Sequence, residues 1–363
     1  MTKILHLIHT PRHSGAEILV RDLCLIHSRQ GIECAVASFG PMAQEFGADS
    51  QRLQETGTKQ YFPNVLLKKI KRINHFRKVF EDFQPDAVFG HSVLPSIYGR
   101  LALPLAGRKP KFVTVLHSAS NDDFEGAYMT SLEFALRWRS DQVVAVSKLG
   151  AQNYRRRFGD SVPVEIVPNG IDVVRFRAVD RMAARAAFGI APETRIILQV
   201  GRLSVVKQQD LSIRALADYL KMNNAELWLA GLTEEPQYET KLRQMVAENG
   251  LSTKVKFLGS RADVPELLAA ADLYLMPSLA EAHSIAVIEA LASGIPVVLS
   301  DIPAFADFKS MEGVYQVDGR SEVSLREIAE QFPVARYLRP LARYELAETA
   351  GCYLNLSSKA VHA

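Results

Sequence analysis

Two glutamates in the second half of the chain flank the start of a predicted helix. Glu281 lies just before an apolar run that opens near Ser284, and Glu289 lies eight positions after Glu281. At about 1.5 Å of rise per residue, roughly 12 Å along the helix axis separates the two carboxylates. This separation is too wide for a carboxylate pair that acts on one bond. It suits one carboxylate that holds a sugar and another that holds a ribose, with a diphosphate between them.

The start of the same helix is a natural phosphate site. Its first backbone N–H groups have no partner inside the helix, and the positive end of the helix dipole points at the loop before Ser284. The spacing alone also fits two ordinary surface glutamates, one of which is simply favourable near a helix start.

Two cations follow another predicted strand. Arg202 comes directly after Gly201 at the end of that strand, and Lys207 opens the next predicted helix. The helix dipole disfavours a cation at the start of a helix. A locally unfavourable residue at a ligand-facing loop favours a functional role for that residue. Arg202 can hold two diphosphate oxygens at once, while Lys207 acts as a point charge. The alternative is a pair of solvated surface cations.

Candidates in the first half also lie where strands end. Gly15 follows the first strand and starts a helix, so the backbone can approach a phosphate closely. His91 and His117 end two later strands, at the edge where ligands bind in such sheets. A single histidine is usually structural, but two histidines at corresponding strand ends support a functional role and a structural role equally. The G-x-G-x-x-G and G-x-x-x-x-G-K-[ST] motifs are missing, which argues against dinucleotide and P-loop enzymes.

Short β-rich runs alternate with longer amphipathic runs along both halves. This alternation predicts parallel sheets with right-handed crossovers, so we expect an α/β protein with two doubly wound domains. Each domain then carries its ligand loops at the carboxyl ends of its strands. The predicted strands are Lys3–His9, Glu33–Ser38, Ala87–Gly90, Lys111–His117, Gln142–Val146, Arg195–Val200, Glu226–Ala230, Lys254–Leu258, Asp272–Met276 and Pro296–Leu299. The predicted helices include Gly15–Arg29, Leu66–Phe83 and Ser92–Leu105.

The length of 363 residues also fits two domains. Three turn-forming residues follow one another at Pro168, Asn169 and Gly170. This cluster places the domain boundary beside them. We therefore expect a first domain over residues 1–171 and a second over 172–344. The segment from about 336 to 358 reads as helix, and a helix over about 345–363 could cross back to the first domain.

Composition excludes several classes of protein. No run of about 18 apolar residues occurs, so no membrane-spanning helix is expected, and the N-terminal strand is too short and polar for a secretory signal. Cys24, Cys34 and Cys352 are scattered, which argues against a disulfide framework and a zinc site. We therefore expect a cytoplasmic protein.

Five motifs, taken in order along most of the chain, resemble those of the retaining GT-B glycosyltransferases of family 4. The likeness is sharpest from Arg195 to Asp301. It implies two Rossmann-like domains that face each other across a cleft. It also implies transfer of a sugar from a nucleotide-diphosphate donor with retention of anomeric configuration. The motifs are Gly15-Ala16-Glu17, the junction Pro168-Asn169-Gly170-Ile171-Asp172, Gly201-Arg202-Leu203 with Lys207, Phe257-Leu258-Gly259, and Glu281-x7-Glu289 followed by Ala290-x-Ala292-x-Gly294-x-Pro296-Val297-Val298.

The resemblance also implies roles for individual residues. Arg202 and Lys207 would hold the donor diphosphate, Glu281 would face the sugar hydroxyls, and His117 would stand beside the reacting sugar. Two cations and a helix terminus would neutralise the leaving diphosphate without a metal, and no D-x-D metal motif is present. No cofactor besides the donor and no nucleic-acid partner is expected. The residues expected to bind the donor are Gly15 on the diphosphate, Leu258 and Gly259 beside the base, His283, Ser284, Ile285 and Ala286 around the sugar and phosphate, and Glu289 on the ribose.

One departure from the family pattern affects the donor. Where the family usually reads E-G-F-G, this chain reads Glu281-Ala282-His283-Ser284. Losing both glycines narrows backbone freedom where the sugar binds, so the identity of the sugar is not carried over. Two other functions stay open: a sugar-nucleotide epimerase of similar fold, and a non-catalytic sugar-nucleotide-binding partner of another transferase.

The charge distribution suggests where the acceptor lies. The net charge is +3, but residues 1–177 carry 24 Lys and Arg against 17 Asp and Glu. A basic amphipathic helix on an anionic bilayer would give peripheral contact with the inner face of the cell membrane. This contact fits a lipid-linked glycan acceptor in surface-polysaccharide or lipopolysaccharide assembly; the alternative is an ordinary helix whose charged face meets water. The stretch in question, 66–80, is apolar at Leu66, Ile70, Ile73, Phe76 and Phe80.

Overall fold

The computed structural model describes residues 2–105, 107, 109–118, 124 and 126–358. The chain forms two compact units. The first unit comprises residues 1–170 and 343–363, and the second comprises residues 171–342. These limits lie within two residues of the division drawn from the sequence.

Within the described residues, the first unit holds a seven-stranded parallel sheet in the order β3-β2-β1-β4-β5-β6-β7. The central strands are apolar along their length, as expected for parallel strands that are covered on both faces. Leu5 and Val88, for example, are fully buried. The strands are β1 (Lys3–Ile8), β2 (Glu33–Ser38), β3 (Lys59–Tyr61), β4 (Ala87–His91), β5 (Lys111–Leu116), β6 (Gln142–Ala145) and β7 (Val164–Ile166).

Six helices connect these strands in the described residues, and one of them corrects a prediction. The helix expected over 66–83 begins at Ile70, and its side chains Phe76 and Phe80 are buried in the core beside the sheet. Its apolar face is therefore already covered by protein, whereas Val65, Leu66 and Ile70 at its start are exposed. The helices are α1 (Gly15–Arg29), α2 (Gly47–Glu55), α3 (Ile70–Phe83), α4 (Val93–Ala102), α5 (Ala127–Leu136) and α6 (Lys148–Phe158).

The second unit repeats the doubly wound plan. Its described residues form a six-stranded parallel sheet in the order β10-β9-β8-β11-β12-β13. The strands are β8 (Arg195–Val200), β9 (Ala225–Ala230), β10 (Val255–Gly259), β11 (Leu273–Met276), β12 (Val297–Ser300) and β13 (Val314–Val317). The helices are α7 (Val173–Arg177), α8 (Arg181–Ala187), α9 (Gln209–Met222), α10 (Pro236–Glu248), α11 (Val264–Ala270), α12 (Ile285–Ser293) and α13 (Glu322–Gln331). Two parallel, doubly wound α/β sheets confirm the predicted fold class.

The last helix, α14 (Leu346–Ser358), belongs to the first unit. The Thr349 hydroxyl donates to the Pro168 carbonyl at 3.0 Å, and a His27 ring nitrogen lies 2.9 Å from the Ala350 carbonyl oxygen. The prediction of helix from about 336 was wrong, because the Arg339 guanidinium binds main-chain carbonyls of the second unit and anchors that segment there. Residues 359–363 of the expected helix lie outside the described residues.

Candidate functional site

The order of the second sheet reverses between β8 and β11. Strands β9 and β10 lie to one side of this pair, and β12 and β13 lie to the other. In open α/β sheets the loops that leave such a pair part in opposite directions, and ligands bind in the crevice outside the carboxyl ends. The loops after β8 and β11 contain Arg202, Lys207 and Glu281. These three candidates therefore lie outside the carboxyl ends of the strands, where ligands bind in such sheets.

Backbone contacts fix the loop after β8. The Gly201 N–H donates to the Ala230 carbonyl at 2.8 Å. Gly231 has a φ of +155°, and a Cβ on Gly231 would overlap the carbonyl oxygen of Gly201. Glycine at this position therefore lets the ends of β8 and β9 pack closely together. This close packing holds the backbone of Arg202 in one place.

Lys207 does not open an α-helix as predicted. It ends a short 3₁₀ turn, Val205–Lys207, and α9 begins two residues later, after the left-handed residue Gln208. The Gln199 side-chain amide donates to the Lys207 carbonyl at 2.7 Å, which ties the turn to β8. The Leu279 N–H donates to the Val206 carbonyl at 2.9 Å, which ties it to the loop after β11.

An ion pair joins the two loops. The Lys207 ammonium contacts the Glu281 carboxylate, although 74 residues separate them in the sequence. The two side chains are only 14% and 10% exposed. The structure thus brings together two residues that were selected from separate segments. It places one cation and one carboxylate at the point where the sheet order reverses.

Arg202 has a different partner. Its guanidinium pairs with Glu234, a residue of the loop after β9, and the two side chains are 43% and 36% exposed. Exposed ion pairs contribute about 0–1 kcal/mol, so little free energy opposes their separation. Sequence reasoning missed Glu234, although its place just after a strand end is the signal that identified Arg202.

Helix α12 starts as predicted. Ser284 precedes its first turn with extended backbone angles and makes no side-chain capping hydrogen bond. The N–H groups of Ile285 and Ala286 therefore lie among the first-turn donors that have no partner within the helix. Gly294 ends the helix in a left-handed conformation.

Both site glutamates act electrostatically on one buried phenol. Tyr274 of β11 is fully buried, and its hydroxyl donates to the Val200 carbonyl at 3.2 Å. Burial raises the pKa of Tyr274 well above its usual value, and the charges of Glu289 and Glu281 raise this pKa further. Glu281, in the loop before α12, and Glu289, in the second turn of that helix, therefore both lie close enough to act on this phenol, with His283 between them in the chain.

Leu258 and Gly259 lie at the end of β10, on the same edge of the sheet. Gly259 has a left-handed φ of +66°, and its carbonyl accepts a hydrogen bond from the Gly231 N–H at 2.8 Å. Among the described residues, these two make no ion pair or hydrogen bond with Lys207 or Glu281. Their expected role beside a base stays a prediction.

The first unit places three histidines on the adjacent strands β1, β4 and β5. His117 follows β5, and its Nε2 lies 2.9 Å from Nδ1 of His91 at the end of β4. His91 Nε2 in turn lies 2.9 Å from Nδ1 of His6 on β1. Burial lowers the pKa of His117 to about 4 and that of His6 to about 3, and it lowers the pKa of His91 well below its usual value. Sequence reasoning missed His6, which sits inside a strand rather than at its end.

Gly15 is the exposed first residue of α1. The Ser14 hydroxyl before it donates to the Glu17 carboxylate, and the His13 ring bonds Asp49 at 2.7 Å. These contacts fix the loop between β1 and α1. The role of Gly15 toward a diphosphate stays a prediction.

The described ranges of the chain also bear on metal binding and membrane insertion. There, no group of three or more His, Cys, Asp and Glu side chains is arranged to hold a metal ion. No helix in this part of the chain has both the length and the apolar character needed to cross a bilayer.

Comparison with protein families gives two matches. Residues 13–175 match the model described as Glycosyltransferase Family 4, and residues 180–314 match the model described as Glycosyl transferases group 1. The first covers much of the histidine-bearing unit, and the second covers Arg202, Lys207 and both glutamates.

Curated relatives match over part of their length. A D-inositol 3-phosphate glycosyltransferase of Nocardia farcinica is 35% identical over 45% of this chain and 38% of its own length. The lipopolysaccharide core biosynthesis mannosyltransferase LpsB of Rhizobium meliloti is 30% identical over 48% of this chain and 49% of its own length. The chain thus spans at most about half the length of these relatives.

Solved structures match over nearly the whole chain. Anabaena Alr3699/HepE in complex with UDP and glucose superposes with a TM-score of 0.82 at 21% identity, covering 99% of this chain and 100% of that chain. A glycosyltransferase from Rickettsia africae superposes with a TM-score of 0.79 at 17% identity, covering 98% and 97%. These likenesses identify the architecture as the GT-B fold.

Proposed function

The chain belongs to the group 1, family 4 glycosyltransferases, and from this premise we propose that it transfers a sugar from a nucleotide-diphosphate donor to a glycan acceptor. The observation that carries the proposal is the contact between Lys207 and Glu281 where the second sheet reverses its order. This contact sets a cation for phosphate beside a carboxylate for sugar hydroxyls. UDP in the Anabaena neighbour supports a nucleotide-diphosphate donor.

In the proposed complex, groups of the donor replace the ion-pair partners that these side chains have in the structure. Lys207 moves from Glu281 toward the diphosphate, and Arg202 exchanges Glu234 for phosphate oxygens. Glu281 is then released to accept hydrogen bonds from sugar hydroxyls. The first-turn N–H groups of α12 add donors for the same phosphate. We propose that this charge set replaces a divalent metal in stabilising the leaving diphosphate.

We further propose that the reaction retains the anomeric configuration through attack on one face. The bond from the anomeric carbon to the diphosphate oxygen breaks, and the acceptor hydroxyl oxygen bonds to the same face of that carbon. The hydroxyl proton passes to the departing phosphate oxygen. His117 is assigned a place beside the reacting sugar, Glu289 is assigned to the ribose, and Gly15 is assigned to the diphosphate. Leu258, Gly259 and His283 complete the proposed donor contacts.

The proposed acceptor is a lipid-linked glycan of surface-polysaccharide or lipopolysaccharide assembly. LpsB, the mannosyltransferase relative in lipopolysaccharide core biosynthesis, supports this choice. For the membrane contact, the structure leaves a smaller surface than the sequence suggested. Exposed Val65, Leu66 and Ile70 lie beside Lys68 and Lys69 at the start of α3. We propose that only the start of α3, and not the whole helix, contacts the inner face of the cell membrane.

Donor identity and reaction class are tested together. The full chain in EDTA is titrated calorimetrically with UDP, GDP and ADP and with their sugars, and each bound donor is incubated with and without a glycan acceptor. Anomeric NMR signals of the product report retention or inversion. Transfer in EDTA with retention supports the proposal. Interconversion of donors without an acceptor would identify an epimerase, and binding with neither hydrolysis nor transfer would identify a non-catalytic partner.

Vesicle co-sedimentation tests the membrane contact. The triple variant Lys68→Gln, Lys69→Gln, Lys71→Gln is compared with Lys221→Gln, Lys241→Gln, Lys309→Gln, which removes three exposed cations of the second unit. Loss of binding to anionic vesicles in the first variant alone supports the contact. Equal binding by both variants would remove it.

A further inference from the structure

Three histidine rings form a continuous hydrogen-bonded row across β1, β4 and β5. Both N···N distances are 2.9 Å. At the inner end, His6 is fully buried, and its Nε2 has no hydrogen-bond partner among the described residues. At the outer end, His117 is partly exposed at the carboxyl edge of the sheet. The row therefore links the core to the edge where ligands bind.

Counting protons in this row restricts its states. A neutral imidazole carries one N–H proton, so three neutral rings carry three protons. Each of the two hydrogen bonds contains one proton, which leaves a third proton for one end of the row. That proton sits either on His117 Nδ1 or on His6 Nε2. The low pKa values of all three rings keep them neutral at pH 7.

The surroundings of His6 decide between the two states. The Phe89 ring stacks on His6 with centroids 5.4 Å apart, and the Tyr353 ring lies 6.3 Å away. A proton on His6 Nε2 would be a buried N–H donor without an acceptor, which costs about 1–3 kcal/mol. Orphaned buried N–H groups are rarer in proteins than under-used acceptors. The third proton therefore belongs on His117 Nδ1.

We propose that His91, anchored by His6, is a positioning residue that holds His117 in the Nδ1–H form. His117 then donates a hydrogen bond from Nδ1 to an oxygen of its ligand and does not accept a proton at that atom. The identification of this ligand as the sugar of the donor rests on the proposed function. The assignment of the proton does not depend on it.

The row also predicts the tautomer of each ring. In the favoured state His6 Nδ1–H donates to His91 Nε2, and His91 Nδ1–H donates to His117 Nε2. All three rings are then Nδ1–H tautomers, whereas an unconstrained imidazole in water prefers the Nε2–H form. Because each ring determines its neighbour, replacing His91 with a residue that can only accept a hydrogen bond should place the proton of His117 on Nε2.

Histidine ¹⁵N NMR tests this assignment without any substrate. The full chain is labelled with ¹⁵N-histidine, and long-range ¹H–¹⁵N spectra at pH 7 separate Nδ1–H from Nε2–H rings. His117→Gln assigns the signal. The expected result is Nδ1–H for His117 in the wild-type protein. A wild-type His117 in the Nε2–H form would overturn the proposal, whatever the variants do.

Two variants at one position then test the positioning role. His91→Asn keeps a side-chain amide donor near His117 Nε2, whereas the matched variant His91→Asp presents a carboxylate that only accepts. We expect His117 Nε2 to carry the proton in His91→Asp, with a loss of about tenfold to a hundredfold in kcat/KM, the range found when partners of metal-binding histidines are removed. His91→Asn should keep the Nδ1–H form and most of the activity. A His117 Nε2 that stays unprotonated in His91→Asp would contradict the role of His91.

Val144→Ala is the control for a core change that leaves the row intact. Val144 is fully buried on β6, one strand beyond the histidines. We expect this variant to lose stability and to keep the wild-type tautomer.

If wild-type protein transferred no sugar but showed His117 as Nδ1–H, the proposed function would fail while the tautomer assignment stood.

Discussion

The two sheets share one topology but present different chemistry where their order reverses. In the first sheet the reversal lies between β1 and β4, and the side chains there are neutral histidines. In the second it lies between β8 and β11, and the loops there carry the Lys207–Glu281 ion pair. The same backbone plan thus offers a neutral hydrogen-bond donor in one unit and paired charges in the other. Topology specifies the position of a site but not its chemistry.

Two ion pairs, one from each unit, differ in their exposure to solvent. In the first unit, Arg100 and Glu133 are fully buried, and the Tyr154 hydroxyl also donates to Glu133 at 2.6 Å. In the second unit, Arg202 and Glu234 are substantially exposed. A buried pair cannot exchange its partner for a ligand without leaving a charge in the core. The Arg100–Glu133 pair is therefore structural, whereas Arg202 is able to exchange Glu234 for a ligand.

The largest effect is expected from breaking the buried pair. Glu133→Gln leaves the Arg100 charge uncompensated in the core, which should cost about 3–5 kcal/mol of unfolding free energy. Urea unfolding measures this loss. In a Trp228→Phe background, Trp138 remains as the single tryptophan and reports on the first unit. A loss below about 1 kcal/mol, as for exposed pairs, would remove the distinction between the two kinds of pair.

Arg202→Ala should come next and should act on catalysis. Losing one group that stabilises the charge of the leaving diphosphate typically costs about 10²–10³ in rate. Stability should change little, because the pair with Glu234 is exposed. Steady-state rates with the bound nucleotide sugar and a parallel melting curve measure the two effects. An unchanged rate would remove Arg202 from the mechanism.

The histidine row predicts an effect that is smaller per pH unit. The folded-state pKa values of His6 and His117 are about 3 and about 4, below the usual value of 6.5. The unfolded chain therefore binds more protons between these limits, so stability is fully present above about pH 6.5 and falls as the pH falls toward 4. Each such histidine contributes up to about 1.4 kcal/mol per pH unit.

Urea midpoints between pH 7.5 and 4.5 measure this slope. His6→Phe should flatten it, because the replaced ring no longer takes up a proton on unfolding. If the variant and the wild-type protein kept equal slopes, protonation of His6 would have no part in the acid sensitivity of the first unit.

The smallest effect is expected from Glu234→Gln. This change removes the partner of Arg202 without removing the cation, and exposed pairs contribute about 0–1 kcal/mol to stability. Calorimetric donor affinity should stay equal or increase, because Arg202 no longer leaves a carboxylate when it binds phosphate. Weaker donor binding would show that Glu234 positions Arg202 rather than occupying it.

Much of the fold was predictable because the elements that carry the site are strongly patterned. Helix α1 and strand β8 begin and end where the sequence places them, and α12 begins at Ile285, one residue after the start expected near Ser284. The missed strands β3, β7 and β13 are edge strands of three or four residues, too short to show a period. The start of α3 was misplaced because the cations at 68 and 69 continue the amphipathic pattern beyond the helix.

The sequence by itself determined the central strands, several helices and the loops that follow the strand ends, because these depend on local periodicity and on glycine and proline. It also selected Arg202, Lys207, Glu281 and His117 as candidates. Tertiary structure alone decided which of them meet: Lys207 with Glu281, Arg202 with Glu234, and His117 with His91 and His6. These pairings depend on the order of strands in each sheet, and residues far apart in the chain become neighbours only when that order is fixed.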